Sequence, residues 1–155
     1  MKLKNKIFLL FLFIPFTSFS QTKEDIFEYL KNRVEEFCVN KESELKLSGC
    51  QMKYNYYRTL QGNAPWTQEL SFSLKDVVDV FYVYQNKTSV ITLKLKTEAL
   101  IITDIEQDGK RNFVNYDNSI KWIFYKETVS QTDGKKMADL FKKLAKSCGA
   151  KIVEL

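Results

Sequence analysis

The sequence contains no histidine in its 155 residues. Serine and cysteine nucleophiles therefore lack their usual imidazole base, and zinc or copper sites lack their commonest ligand. No Cys-x-x-Cys pair is present, which speaks against thiol-disulfide catalysis. Internal repeats, low-complexity tracts and interdomain linkers are also missing, so one folded unit is expected. The longest apolar run, Ile7 to Phe16, is shorter than the roughly 20 residues a membrane span needs and carries Pro15 near its end. Nothing in the chain predicts a metal, a cofactor or an assigned catalytic residue.

The start of the chain has the layout of a secretory signal peptide. Lys2, Lys4 and Lys6 precede the apolar run, and Thr17-Ser18-Phe19-Ser20 supplies small residues at alternate positions. Cleavage after Ser20 predicts residues 1–20 as leader and 21–155 as a single domain, periplasmic or secreted. No cysteine near that cut offers a lipid anchor, and no transmembrane span remains after it. The charge argument changes with the leader. The full chain has 24 Lys plus Arg against 19 Asp plus Glu, and three of those lysines leave with it, so the mature balance is 21 minus 19, or +2. That excess is too small for a phosphate-tracking surface, and nucleic acid is not an expected partner. The remaining 135 residues (155 minus 20) can bury roughly two-thirds of their unfolded surface.

Hydrophobic periodicity predicts an α+β fold. Thr22-Lys23-Glu24-Asp25 reads as a capping box, and Ile26, Phe27, Leu30, Val34, Phe37 and Cys38 then recur at three- and four-residue steps. Lys41 to Ser48 is polar and reads as a loop entering a strand. Cys50, Met52, Tyr54 and Tyr56 share one parity, as do Trp66, Leu70, Phe72 and Leu74. Further strands are expected over Val78–Gln85, Ser89–Lys96, Glu98–Ile105, Asn112–Tyr116 and Ser119–Tyr125. Turns are expected at Gln61–Pro65, Asn86-Lys87-Thr88, Asp108-Gly109 and Asp117-Asn118. Ser73 is placed to cap a short helical turn, and Glu127 to Gly134 reads as loop. Met137, Leu140, Phe141, Leu144 and Cys148 form the dry stripe of a closing helix over 135–148, stopped by Gly149. The expectation is one antiparallel sheet, or a partly closed barrel, of about six to seven strands packed by an N-terminal and a C-terminal amphipathic helix.

Few constellations could carry chemistry. After export the three thiols allow three single-bridge pairings. Cys50–Cys148 would close a loop of about 100 residues, for which the chain-entropy account gives roughly 4.7 kcal/mol. Cys38–Cys50, or three free thiols, compete with it. Asp104-Ile105-Glu106-Gln107-Asp108-Gly109 opens like a calcium loop, but Asn115 stands where the twelfth-position Glu is needed, so a hairpin turn is the stronger reading. Asp76 and Asp79 are the close carboxylate pair of the strand region, and they define an alternative function: a small hydrolase acting on cell-wall or glycan material. Tyr54, Tyr56, Tyr57, Tyr82 and Tyr84 could form an aromatic platform for a sugar or peptide, or complete the core as cross-strand pairs. The lysine row of the last helix reads first as a solvated face.

The order helix, antiparallel strands, amphipathic helix, with Phe72-Ser73-Leu74-Lys75-Asp76-Val77 and the ending Leu140-Phe141-Lys142-Lys143-Leu144-Ala145-Lys146-Ser147-Cys148-Gly149, resembles small exported bacterial proteins of unknown function. The strand-rich middle closed by a helix is also similar to pleckstrin-homology-like folds, from which the leading helix departs. Neither resemblance implies a catalytic residue. The function expected from these features is a non-enzymatic envelope or secreted binding module whose partner is a protein, a glycan or a lipid headgroup.

Overall fold

A computed structural model describes residues 21–40, 42–58, 66–105, 111–125 and 127–152. The leader expected over 1–20 and the turns expected at Gln61–Pro65 and Asp108-Gly109 lie outside the described residues.

Helix α1 spans Lys23–Phe37 and starts as its cap sequence dictates. The Asp25 N–H donates to Thr22 Oγ1 and the Thr22 N–H donates to Asp25 Oδ2, both at 3.1 Å. Two otherwise orphaned amide donors are thereby satisfied. Those two hydrogen bonds, side chain first, hold the Asp25 carboxyl below its ordinary pKa.

Eight strands follow: β1 Glu44–Ser48, β2 Gln51–Arg58, β3 Trp66–Ser73, β4 Val77–Gln85, β5 Thr88–Leu95, β6 Leu100–Ile105, β7 Arg111–Asp117 and β8 Ser119–Tyr125. The predicted loop before residue 48 is in part a strand. Leu45 and Leu47 turn inward between Glu44, Lys46 and Ser48, a period-2 pattern only five residues long. The expected short helical turn is present as a 3₁₀ turn at Leu74–Asp76, with Ser73 as its cap. Asn86 and Lys87 both have positive φ (52° and 60°), as a two-residue hairpin between β4 and β5 requires.

The strands form two antiparallel sheets, β1-β2-β3-β6-β7 and β4-β5-β8, and do not close into a barrel. This departs from the single sheet of six to seven strands that the periodicity predicts. The chain leaves the larger sheet twice, through the Leu74–Asp76 turn and through Asn118, and each exit starts a strand of the smaller one. The junction is stitched by Leu95 N–H to the Asn118 carbonyl (2.7 Å), Lys96 N–H to the Asp76 carbonyl (3.0 Å) and a Lys96–Asp76 ion pair at 2.8 Å.

Helix α2 spans Gln131–Ser147, four residues longer at its start than the 135 boundary expected. Ser130 supplies the reason: its Oγ accepts the Asp133 N–H at 3.1 Å, so the second half of the polar segment, from residue 131 on, is a capped first turn, while 127–130 precede the helix as loop. Gly134 lies within the helix. At the other end Gly149 has φ +89° and Ala150 N–H donates to the Ala145 carbonyl (3.1 Å), a left-handed stop of the expected kind.

Both helices bury their stripes against the inner sheet faces. Leu30 and Val34 of α1 and Met137, Phe141 and Leu144 of α2 join Leu45, Met52, Phe72, Ile91, Leu93 and Trp122 in one core. The Trp122 ring stacks on Phe141 with centroids 4.7 Å apart and meets Tyr54 edge-on at 5.9 Å, so one indole joins β8, α2 and β2. Cys50, in the β1–β2 turn, is bonded to Cys148 at the end of α2, and Cys38 is a buried free thiol. No helix among the described residues is long and apolar enough to cross a membrane.

Candidate functional site

A groove opens where the inner faces of the two sheets part. The end of α1 builds its rim. Past Phe37 the chain turns extended, Cys38 bridges to Phe124, and the Val39 N–H donates to the Ile123 carbonyl at 2.9 Å. This short added strand delivers Asn40 to the groove. The larger sheet contributes Tyr54, Tyr56, Gln68, Leu70 and Ile102, and the start of β8 contributes Ser119 and Lys121, with Asp117 beside them. Its volume is about 310 Å³.

Tyr56 and Gln68, which line the groove, belong to a polar row in an otherwise apolar face, and the third member of that row, Asp104, is not among the described lining residues. Tyr56, Gln68 and Asp104 stand opposite one another across β2, β3 and β6. The Tyr56 hydroxyl donates to Gln68 Oε1, and Gln68 Nε2 donates to Asp104 Oδ1 at 2.7 Å. Gln68 is only 8% exposed, so its amide would be costly to leave unpaired, and the two neighbours satisfy it. The row ends on a carboxylate, which strengthens the adjoining hydrogen bond.

One row deeper, Tyr54 is fully buried and tilted against Tyr56 with ring centroids 5.3 Å apart. Its hydroxyl donates to Cys38 Sγ at 3.6 Å and accepts from Asn40 Nδ2 at 3.4 Å. Burial, and after it the Cys38 sulfur, push the Tyr54 phenol well above its ordinary pKa, with Asn40 and Ser43 pulling weakly the other way. The phenol is therefore a neutral hydrogen-bonding group at any physiological pH, not a general base.

The five tyrosines of the expected platform do not share a face. Tyr54 and Tyr56 meet at the groove. Tyr57 points to the opposite side of the larger sheet and is 53% exposed. Tyr82 and Tyr84 belong to β4 of the smaller sheet, where the Tyr82 hydroxyl donates to the Gln131 carbonyl at 3.0 Å. Asp76 is ion-paired with Lys96, and Asp79 Oδ1 accepts the Val80 N–H at 2.7 Å. Neither carboxylate is among the described residues lining the groove. Asp104, the first residue of the calcium-like motif, faces Gln68, while Glu106 to Gly109 lie outside the described residues. Among the described residues no group of three or more Cys, Asp and Glu side chains is close enough to hold a metal ion.

Periodicity alone passed over Asn40, Gln68, Asp117, Ser119 and Lys121. One signal was available: Gln68 shares the parity of Leu70 and Phe72, and a glutamine on a dry face needs a partner. Comparison with protein-family models, with curated proteins and with solved structures finds no match.

Proposed function

We propose that this chain is an exported binding protein, periplasmic or secreted and without a catalytic centre, that holds a polyhydroxylated ligand such as a glycan in the inter-sheet groove. The observation that carries the reading is the Tyr56–Gln68 pair, hydrogen-bonding groups beside an aromatic ring that line an open hollow, with Asp104 accepting from the Gln68 amide outside the lining. Sugars are recognised by that combination, with planar polar groups taking the hydroxyls and a ring taking the apolar face of the pyranose. The leader-like N-terminus and the Cys50–Cys148 bond support an oxidising, extracytoplasmic setting. The likeness to small exported bacterial proteins and to pleckstrin-homology-like layouts belongs to the same proposal.

The test is an amide-resonance titration of the mature chain with chitobiose, maltose and a peptidoglycan disaccharide. Binding should move Asn40, Tyr56, Gln68 and Lys121, and Gln68→Ala should weaken it about tenfold, the equivalent of one well-placed hydrogen bond. Titrations that leave the groove resonances still at millimolar sugar, while a protein partner or a lipid headgroup moves them, would replace the glycan reading.

A further inference from the structure

An unprotected strand edge is a template for a further strand, and the sheets end on β1, β7, β4 and β8. Three of these edges are blunted. On β1 the Leu45 N–H is taken by Glu35 Oε1 of α1 at 2.7 Å, and Glu44 and Lys46 flank it. Strand β7 carries Arg111, Asn112, Asn115 and Asp117, and its Tyr116 N–H is taken by Asn115 Oδ1 at 2.8 Å. Part of β8 is covered, since Cys38 bridges to Phe124 and the Val39 N–H donates to the Ile123 carbonyl.

Strand β4 is the exception. It reads Val-Val-Asp-Val-Phe-Tyr-Val-Tyr-Gln, without proline and with Asp79 as its one charge. The register shift between Val77 and Asp79 distorts only its start. Val80 and Tyr82 turn towards the core, while Phe81 and Val83, of the other parity, project from the outer face and are 45% and 50% exposed. Val83, Val90 and Ile123 stand in register across β4, β5 and β8, so an apolar row crosses that outer face and ends at the β4 edge.

The strand is also complementary to itself in reverse. Laid antiparallel on a second copy about a two-fold axis at Tyr82, residues 79–85 of one chain oppose 85–79 of the other. Phe81 then faces Val83 in both halves, an aromatic and β-branched pair of the kind that stabilises sheets. Asp79 faces Gln85, and Lys87 at the hairpin tip comes diagonally beside the second copy's Asp79, so opposite charges meet and like charges do not. Sliding by two residues one way sets Asp79 against Val83. Sliding the other way sets Phe81 against Gln85 and shortens the ladder. A foreign strand would have to bring this spacing with it, whereas a second copy has it by necessity.

We propose that the β4 edge is a homodimer interface, at which two copies of this chain join their smaller sheets into one antiparallel sheet through residues 79–85. The contact is isologous, and with the other edges blunted it closes at two chains. It is separate from the inter-sheet groove and does not rest on glycan binding.

Sedimentation velocity of the mature chain, from low micromolar to submillimolar concentration, tests this. The parent should pass from monomer to dimer. Phe81→Lys and Val83→Asp, each checked as folded by near-ultraviolet circular dichroism, should each weaken dimerisation at least tenfold, because either change breaks both symmetry-related pairs. Mixing the two variants should restore association to within a few-fold of the parent. In that mixed dimer the introduced lysine meets the introduced aspartate, and the native Phe81–Val83 pair survives on the other side of the axis. Lys87→Glu, at the exposed hairpin tip, leaves the strand untouched and should weaken the dimer a few-fold by facing Asp79 with a like charge. Gln68→Ala should leave association unchanged. A parent that stays monomeric throughout, a folded Phe81→Lys variant that dimerises like the parent, or a mixture that associates no better than either variant alone would overturn the proposal. So would growth beyond two chains, which needs a second pairing surface.

Discussion

Gly134 lies so close to Tyr82 that a Cβ on the glycine would stand 2.6 Å from the ring Cε2, with Ser89 Oγ at 2.9 Å. This pair sets how near α2 approaches the smaller sheet. The ring cannot simply swing aside, because its hydroxyl donates to the Gln131 carbonyl at 3.0 Å and stands 3.3 Å from Ser89 Oγ.

Gly134→Ala should therefore destabilise the protein, although alanine is the better helix former by roughly 1 kcal/mol. Overpacking of this kind costs about 1–3 kcal/mol, which outweighs the propensity gain. Urea denaturation should show a lower midpoint with an unchanged slope. Pairing it with Tyr82→Leu, which vacates the space, should recover part of the loss.

Removal of the Cys50–Cys148 bond by a double serine substitution should cost about 2–5 kcal/mol, since the bond spans 98 residues and ties the β1–β2 turn to the end of α2. Peptide mapping without reductant should recover Cys50 joined to Cys148. Cys38, buried and free, should alkylate only after unfolding.

The buried Tyr54 phenol predicts an alkaline limit to stability. Because its folded pKa lies above the ordinary value near 10, the native state holds a proton that the unfolded chain releases. Its contribution is complete below pH ~10 and is lost as pH rises beyond that value. Tyr54→Phe should flatten this part of the stability curve relative to the parent, as read by denaturant midpoints between neutral and strongly alkaline pH.

Asp25 acts in the opposite direction. Its depressed pKa means that the cap is intact above the usual aspartate range near 4 and weakens as pH falls through it. A carboxyl carbon titration should find Asp25 protonating below the ordinary aspartate value near 4. Asp25→Asn should fray the first turn of α1 in amide exchange at neutral pH.

Local rules made much of the fold legible before any tertiary contact was known. Thr22 with Asp25, Ser73, Asn86-Lys87 and Gly149 act through neighbours within a few residues, so their roles could be read from the chain alone. Strand parity likewise follows from the alternation of side chains. Where the pattern was short, as in Leu45 and Leu47 of β1, the local signal pointed to loop and pairing overrode it, and around Gly134 a glycine in a polar run hid the cap that Ser130 supplies to α2. The distribution of the five tyrosines over two sheets was out of reach for a related reason, because parity assigns a face within one strand but not which strands are neighbours.

By itself the sequence determined the chemistry at hand: no imidazole, three thiols, two amphipathic helices and a set of strands each with one dry side. Only the folded chain decided which thiols meet, that the strands divide between two sheets, and that Tyr56, Gln68 and Asp104 line up across three of them. The physical reason is separation along the chain. Residues 12 and 36 positions apart come together only when the registers of β2, β3 and β6 are set jointly by the apolar surface each strand must bury.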